Sequence, residues 1–314
     1  MGIAEIAAII LPVFGLMAAG YLARLTGLLS DTVADGLSSY AYSVAIPCLL
    51  FRMMAEGNWP DISPWTYWIT YFAGVAVAWI IAMVIVMKML GREFETGIVA
   101  GFTASQANTV LVGIPLVLAV YGEAGRVPLV FLISIHLPLM MTVAAILMEA
   151  SKAQGADWTG AAKAIIRSMA THPIVLSLAA GYLWHLTGIE ISGTPRKLID
   201  ALAGTAGTVA LFSLGLALRR YGIAGDLRAT LSLTALKLVI HPIVVFLLGA
   251  YVFHLSPVWL GAAVLFASSP CGVNAYLVAN RYGTGMRMSS SAIAVSSAVA
   301  VLTVGVWMKL IPAP

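Results

Sequence analysis

Apolar residues fill this chain in ten runs, near 3–23, 33–54, 65–88, 97–121, 126–148, 172–188, 198–218, 229–254, 257–281 and 289–311, each poor in charge. A helix needs about 20 such residues to cross roughly 30 Å of hydrocarbon. Each run therefore predicts one membrane-spanning helix. The runs are continuous, whereas strands of a membrane barrel would alternate apolar and polar residues over about ten positions. The predicted fold is all-α.

A shift of 161 residues lays the first half of the chain on the second. Ala18-Ala19-Gly20-Tyr21-Leu22 with Leu25-Thr26-Gly27 returns as Ala179-Ala180-Gly181-Tyr182-Leu183 with Leu186-Thr187-Gly188. Pro12 matches Pro173, Leu50-Phe51 matches Leu211-Phe212, and Tyr121-Gly122 matches Tyr282-Gly283. One offset over such a length predicts a duplication, with residues 1–150 as the first five-helix repeat and 172–314 as the second. Five is odd, so the two copies face opposite ways across the bilayer. Inverted repeats of this kind are the signature of secondary transporters. Between them, 151–171 is expected to be a cytoplasmic connector whose stretch 158–169 sets apolar Ala161, Ala164, Ile165, Ile166 and Met169 against Lys163, Arg167 and Ser168, the pattern either of an interfacial helix or of an ordinary connecting helix without a membrane-binding role.

Composition sharpens this picture. The chain is 61% hydrophobic and 10% charged, with mean hydropathy +0.98, values that belong to an integral membrane protein. Eleven basic residues, including Arg24, Lys88, Arg92, Lys152, Arg220 and Arg287, fall on the side reached after odd-numbered spans, and five on the other. The positive-inside rule then puts both termini outside the cytoplasm of a cell (inner) membrane. The sequence pI near 9.1 reflects basic residues dispersed between spans, not a nucleic-acid surface. Glu5 is the first charge and Arg24 follows the first apolar run, so no cleaved signal peptide is expected. Cys48 and Cys271 both lie within spans and imply neither a disulfide framework nor a metal site. No Gly-rich phosphate loop ending in Gly-Lys-Ser/Thr occurs, so neither ATP nor any other cofactor is implied. Gly97, Gly101, Gly204, Gly207 and Gly215 read as points of close helix approach.

The chemistry concentrates in two spans. The fourth carries Ser105-Gln106-Ala107-Asn108-Thr109 and then Gly113-Ile114-Pro115 near its centre, where polar groups cost free energy unless partnered. Pro115 removes a backbone donor and crowds the carbonyl of Leu111, so the span is expected to break there. The ninth repeats the design with Ser268-Ser269-Pro270-Cys271-Gly272-Val273-Asn274, Pro270 being suited to the first turn of a new half-helix. A plain proline kink explains either span alone. Both together predict two broken helices meeting at the midplane, their half-helix N-termini offering N–H groups and partial positive charge to an anion.

Lys237 and His241 stand one helical turn apart in the eighth span, and His136 lies in the fifth. They are candidates for coupling or charge balance, set against the alternative of a snorkelled lysine and packed core histidines. None of the 13 Asp and Glu residues lies well inside a span, which disfavours a carboxylate-based cation site. The absence of HExxH and GxSxG strings argues against an enzyme. A channel is the remaining rival from another class.

The ten-span plan, Asn108-Thr109 with Gly113-Ile114-Pro115 and Tyr121-Gly122, Ser269-Pro270 through Asn274 with Tyr282-Gly283, and Pro47 with Leu49-Leu50-Phe51 together resemble the auxin efflux carrier family, within the wider group of bile acid:sodium symporter relatives. The resemblance implies a sodium/proton antiporter-like fold in which helices 4 and 9 cross. A scaffold would come from helices 1, 2, 6 and 7, and a transport unit from helices 3–5 and 8–10, moving as an elevator. It implies a small organic anion as substrate, auxin-like, malate or malonate. Asn108, Thr109, Asn274, Gln106, Ser269 and, from the scaffold, Ser43 become substrate contacts, with Gly113, Pro115, Pro270 and Gly272 at the crossing. A sodium-coupled bile-acid-type symporter stays the alternative within the carrier class, and a coupled proton and a homodimer are left open. The long hydrophilic central loop and the acidic third-span residue of plant members are missing here.

Overall fold

The computed structural model describes residues 2–57, 63–151, 157–221 and 227–312. Lys152 and the remainder of 152–156, counted above in the connector, lie outside the described residues. Within them the chain is helical and contains no strand. Helices α1 (Ile3–Leu25), α2 (Asp31–Glu56) and α3 (Trp65–Met89) follow the first three apolar runs. The fourth run splits into α4 (Phe94–Ser105) and α5 (Ile114–Tyr121), the latter entered through a wide turn at Thr109–Gly113. Next come α6 (Arg126–Ala150), α7 (Trp158–Ala170), α8 (Pro173–Leu186), α9 (Gly193–Tyr221) and α10 (Leu227–Val252). The ninth run splits into α11 (Pro257–Ser268) and α12 (Asn274–Tyr282), and α13 (Met286–Leu310) closes the chain.

Among the described residues, seven helices are long and apolar enough to cross a membrane, or up to eight if α7 and α8, bent by 60° at their junction, count as one span. That is fewer than the ten runs suggest because α4, α8 and α11 are short: the sequence counts apolar residues, and the backbone interrupts them. Helix α7 buries none of its residues, as an amphipathic connector helix should.

Three prolines follow a widened turn of the helix rather than a break. Pro47, Pro115 and Pro242 each sit in the first turn after a π-type turn, at Ala41–Ala45, Thr109–Gly113 and Leu236–Ile240. Proline lacks a donor and its ring crowds the carbonyl four residues back, and a wider turn relieves both problems. The expected break at Pro115 is thus displaced: the helix ends at Ser105 and restarts at Thr109, and Pro115 rides inside the restarted segment. Pro270 likewise lies before α12, not in its first turn.

Glycines set the helix contacts. A Cβ at Gly20 would fall 2.1 Å from the Phe212 carbonyl oxygen, and one at Gly215 would fall 2.0 Å from that of Met17, so α1 and α9 touch backbone to backbone. At Gly181 it would fall 2.6 Å from the Phe51 carbonyl oxygen, joining α8 to α2. Ion pairs pin both ends of this group: Arg24–Asp31 (2.5 Å) and Arg220–Asp35 (2.5 Å) at one, Arg52–Asp200 (2.6 Å) and Arg196–Glu56 (2.5 Å) at the other. A second group packs α3 on α4, where Gly101 meets Trp79, and on α10, where Gly74 meets Val245. Gly204, read from sequence as a contact point, has nothing within 4 Å of its Cβ position.

Replacing Gly215 with Val should therefore destabilise the protein by about 3 kcal/mol, since backbone cannot yield as a side chain can. Gly204→Ala should be neutral or stabilising by about 0.5–1 kcal/mol. Thermal unfolding midpoints of the purified variants in detergent check both, and equal midpoints would refute the contact map.

Candidate functional site

The two interruptions meet. Ala107 and Cys271 form an isolated antiparallel bridge in which Asn108 N donates to the Pro270 carbonyl (2.9 Å) and Gly272 N donates to the Gln106 carbonyl (2.9 Å). In lipid every backbone polar group needs an internal partner, and here each unwound segment supplies the other's. Several further groups of the breaks are satisfied locally. Cys271 N donates to Ser296 Oγ (3.0 Å) from α13, and Asn108 O accepts from Val112 N and Gly113 N. Asn108 Oδ1 caps the restarted helix by accepting from Leu111 N (3.3 Å). The helix ends before the breaks are covered by hydroxyls: Ser105 Oγ donates to the Gly101 carbonyl (2.7 Å) and Ser269 Oγ to that of Leu265 (2.9 Å).

The fit at the crossing depends on glycine. A Cβ at Gly272 would stand 1.8 Å from Gln106 Oε1 and 2.9 Å from the Ala107 carbonyl oxygen. One at Gly113 would press on the Phe266 ring at 2.6 Å. Pro115 makes only ordinary contact with Gly207 of α9, 3.8 Å from its Cβ position.

Beside the crossing lies a fully buried polar group without an acid. Lys237 Nζ donates to the Ala267 carbonyl in the last turn of α11 and stands 3.4 Å from His241 Nδ1. An ammonium at a helix C-terminus meets its partial negative charge. The rings of His241 and His136 pack edge-on against Tyr71, at centroid distances of 5.1 and 5.5 Å. Both His136 nitrogens, His241 Nε2 and the Tyr71 hydroxyl have no hydrogen-bond partner.

A cavity of about 450 Å³ runs from an exposed rim at Asp35, Ser168 and Arg220 down to Leu111 and Asn274. Asn274, first residue of α12, is half-buried and lines it; Tyr42, also on its wall, places its hydroxyl beside the Asn274 side chain. Gln106, Asn108, Thr109 and Ser269 are buried in the crossing and do not line this cavity. Ser43 is exposed and lies outside it as well. The structure thus brings Asn274 to the cavity and Asn108 to the crossing, separating two residues that the sequence pairs. Charge at the rim is spent internally: Arg220 donates to Asp35 (2.5 and 3.0 Å) and Asp31 (3.1 Å), and Arg24 binds Asp31 as well.

Lining residues that sequence reasoning missed are Ser38, Tyr42 and His172. Asp35, Ser38 and Tyr42 do carry a signal, a polar stripe on one face of α2 at helical spacing. His172 carries none, because its place follows from the bend between α7 and α8. Among the described residues, no group of three or more His, Cys, Asp or Glu is placed to hold a metal ion.

Comparison with known proteins gives a match to a family described as membrane transport protein over residues 6–308. The chain is 27% identical over 315 residues to a putative malonate transporter from Rhizobium meliloti (strain 1021), covering 98% of this chain and 96% of that protein. It is 22% identical over 343 residues to auxin efflux carrier component 8 of Arabidopsis thaliana, covering 93% of each. A lysosomal cholesterol signaling protein from Mus musculus is 26% identical over 258 residues, 77% of this chain but 30% of that protein.

Gly272→Ala should force the bridged segments apart and cost about 1–3 kcal/mol. A lowered unfolding midpoint with faster hydrogen exchange at Asn108 and Gly272 N–H is the expected result, and unchanged protection at both would refute the bridge.

Proposed function

The chain belongs to the membrane transport protein family, the auxin efflux carrier-like group, and is a multi-pass transporter, not an enzyme; from that premise we propose that it is a secondary carrier of a small organic anion. Ten spans are counted in this reading: α4 with α5, and α11 with α12, each make one broken span, and α8 is a short one. They form two inverted five-helix repeats. Helices α1, α2, α8 and α9, clasped by glycine contacts and by ion pairs at both ends, serve as the scaffold. Helices α3–α6 and α10–α13, joined through the bridged crossing, are the unit that moves.

The observation that carries the proposal is the pair of interrupted helices bridged to each other beside a cavity that Asn274 lines. That cavity lies between the two groups of helices, where a rigid unit could slide past the scaffold and carry its ligand along. Its volume of about 450 Å³ suits a small ligand. With Arg220 occupied by Asp31 and Asp35, the anion is held by neutral donors, the Asn274 amide foremost. Malonate, taken from the name of a relative similar over 96% of its length, is the first substrate to try.

Because the rim lies on the side richer in basic residues, the structure is read as open to the cytoplasm, with both termini outside and the protein in the cell membrane. Lys237 holds the C-terminal end of α11 at the crossing and balances charge within the moving unit.

In proteoliposomes, labelled malonate should accumulate down its gradient at a rate that saturates. Asn274→Ala should lower that rate at least tenfold without lowering the unfolding midpoint. Asn108→Ala should cost about 1 kcal/mol of stability through the lost helix cap. Full uptake by Asn274→Ala, or no saturable uptake of any small carboxylate by the wild type, would overturn the reading.

A further inference from the structure

The cavity has two unlike walls. Leu111, Leu137, Met141 and Asn274 belong to the unit proposed to move; Tyr42 and His172 belong to the scaffold side. His172 occupies the bend between α7 and α8, where its backbone is held at both ends: its N–H donates to the Met169 carbonyl (3.2 Å) and its carbonyl accepts from Leu176 N (3.0 Å). Its ring stands edge-on to Tyr42, centroids 5.7 Å apart at 73°, and its Nδ1 is buried without a partner. Tyr42 in turn reaches Asn274. An imidazole on an anchored backbone, a phenol and an amide therefore follow one another along a cavity in which Arg220, its one cation among the described residues, is already occupied.

A buried ring nitrogen without a partner costs free energy unless something satisfies it. A carboxylate oxygen of a substrate bound in this cavity is a group that could do so. We propose that His172, supported by Tyr42, is the scaffold's half of the substrate site and donates from Nδ1 to a substrate carboxylate only when the cavity is open as it is here. This rests on the carrier reading above. Asn274 travels with the substrate; His172 stays behind with the bend. The substrate is then bound by both halves on one face of the membrane and by Asn274 without His172 on the other. A ligand shifts a two-state protein toward the state it binds better, so substrate at this face holds the carrier in the present state.

The test compares half-saturating malonate concentrations at the two faces, measured in intact cells and in inside-out vesicles that carry the same protein. His172→Ala should raise the value about tenfold at the face bearing the α7–α8 bend and leave the opposite face within twofold, the size expected for one hydrogen bond to a charged group. His172→Gln, which keeps a donor, should recover most of the loss. Tyr42→Phe, which removes a single hydroxyl, should give a smaller loss on the same face and serves if His172→Ala fails to fold. Equal shifts at both faces, or none at either, would overturn this proposal while leaving the carrier intact. Wild-type protein without saturable uptake at either face would remove the carrier reading and this proposal with it.

Discussion

The structure depends on one exchange of backbone hydrogen bonds. Two helices that stop inside apolar surroundings each leave peptide groups unpaired, and an unpaired amide there costs about 2–7 kcal/mol. The Ala107–Cys271 bridge cancels much of that cost by setting one interruption against the other, with Asn108 N on Pro270 O and Gly272 N on Gln106 O. Neither break is tolerable alone. This is why the two polar stretches meet, and α13 adds a further partner through Ser296, which accepts from Cys271 N.

Around that bridge the chain uses the same economy. Hydroxyls of Ser105 and Ser269 fold back onto their own helices, Lys237 closes the end of α11, and wide turns before Pro47, Pro115 and Pro242 absorb the missing donors. At the two breaks the non-helical backbone, 106–108 and 269–272, is buried within the protein, as a lipid environment requires. Backbone-to-backbone contact at Gly20 and Gly215 gives the α1–α9 pair a rigidity that the glycine contacts to side chains elsewhere do not match, since a tryptophan or methionine can shift and a carbonyl cannot.

In the carrier reading proposed above, recognition at the cavity would rest on dipoles more than on net charge. Arg220 is paired with Asp31 and Asp35, so an anion entering the cavity would meet amide, phenol and imidazole groups. Neutral donors would bind a carboxylate without trapping it as a bare arginine would, which suits a protein that must release what it binds.

Several features were legible in the sequence. The all-helical fold, the membrane setting, the two polar interruptions and the amphipathic α7 all follow from counting apolar and polar residues, because hydrocarbon enforces those counts. Lys237 and His241 on one face follow from the spacing of a helix. Tertiary structure decided the rest. Pro115 looked like the point of rupture, yet the helix stops at Ser105, restarts at Thr109 and spreads the proline's demand over a wide turn, since the partner for the broken backbone lies at Pro270 and not beside Pro115. Asn108 and Asn274 read as equals, but one became a cap and the other a cavity wall, because the breaks are bridged out of register with the repeat, which would set Ala107 on Ser268. His172 gained its place from a 60° bend between two helices, a contact made across the fold that no local pattern of residues records.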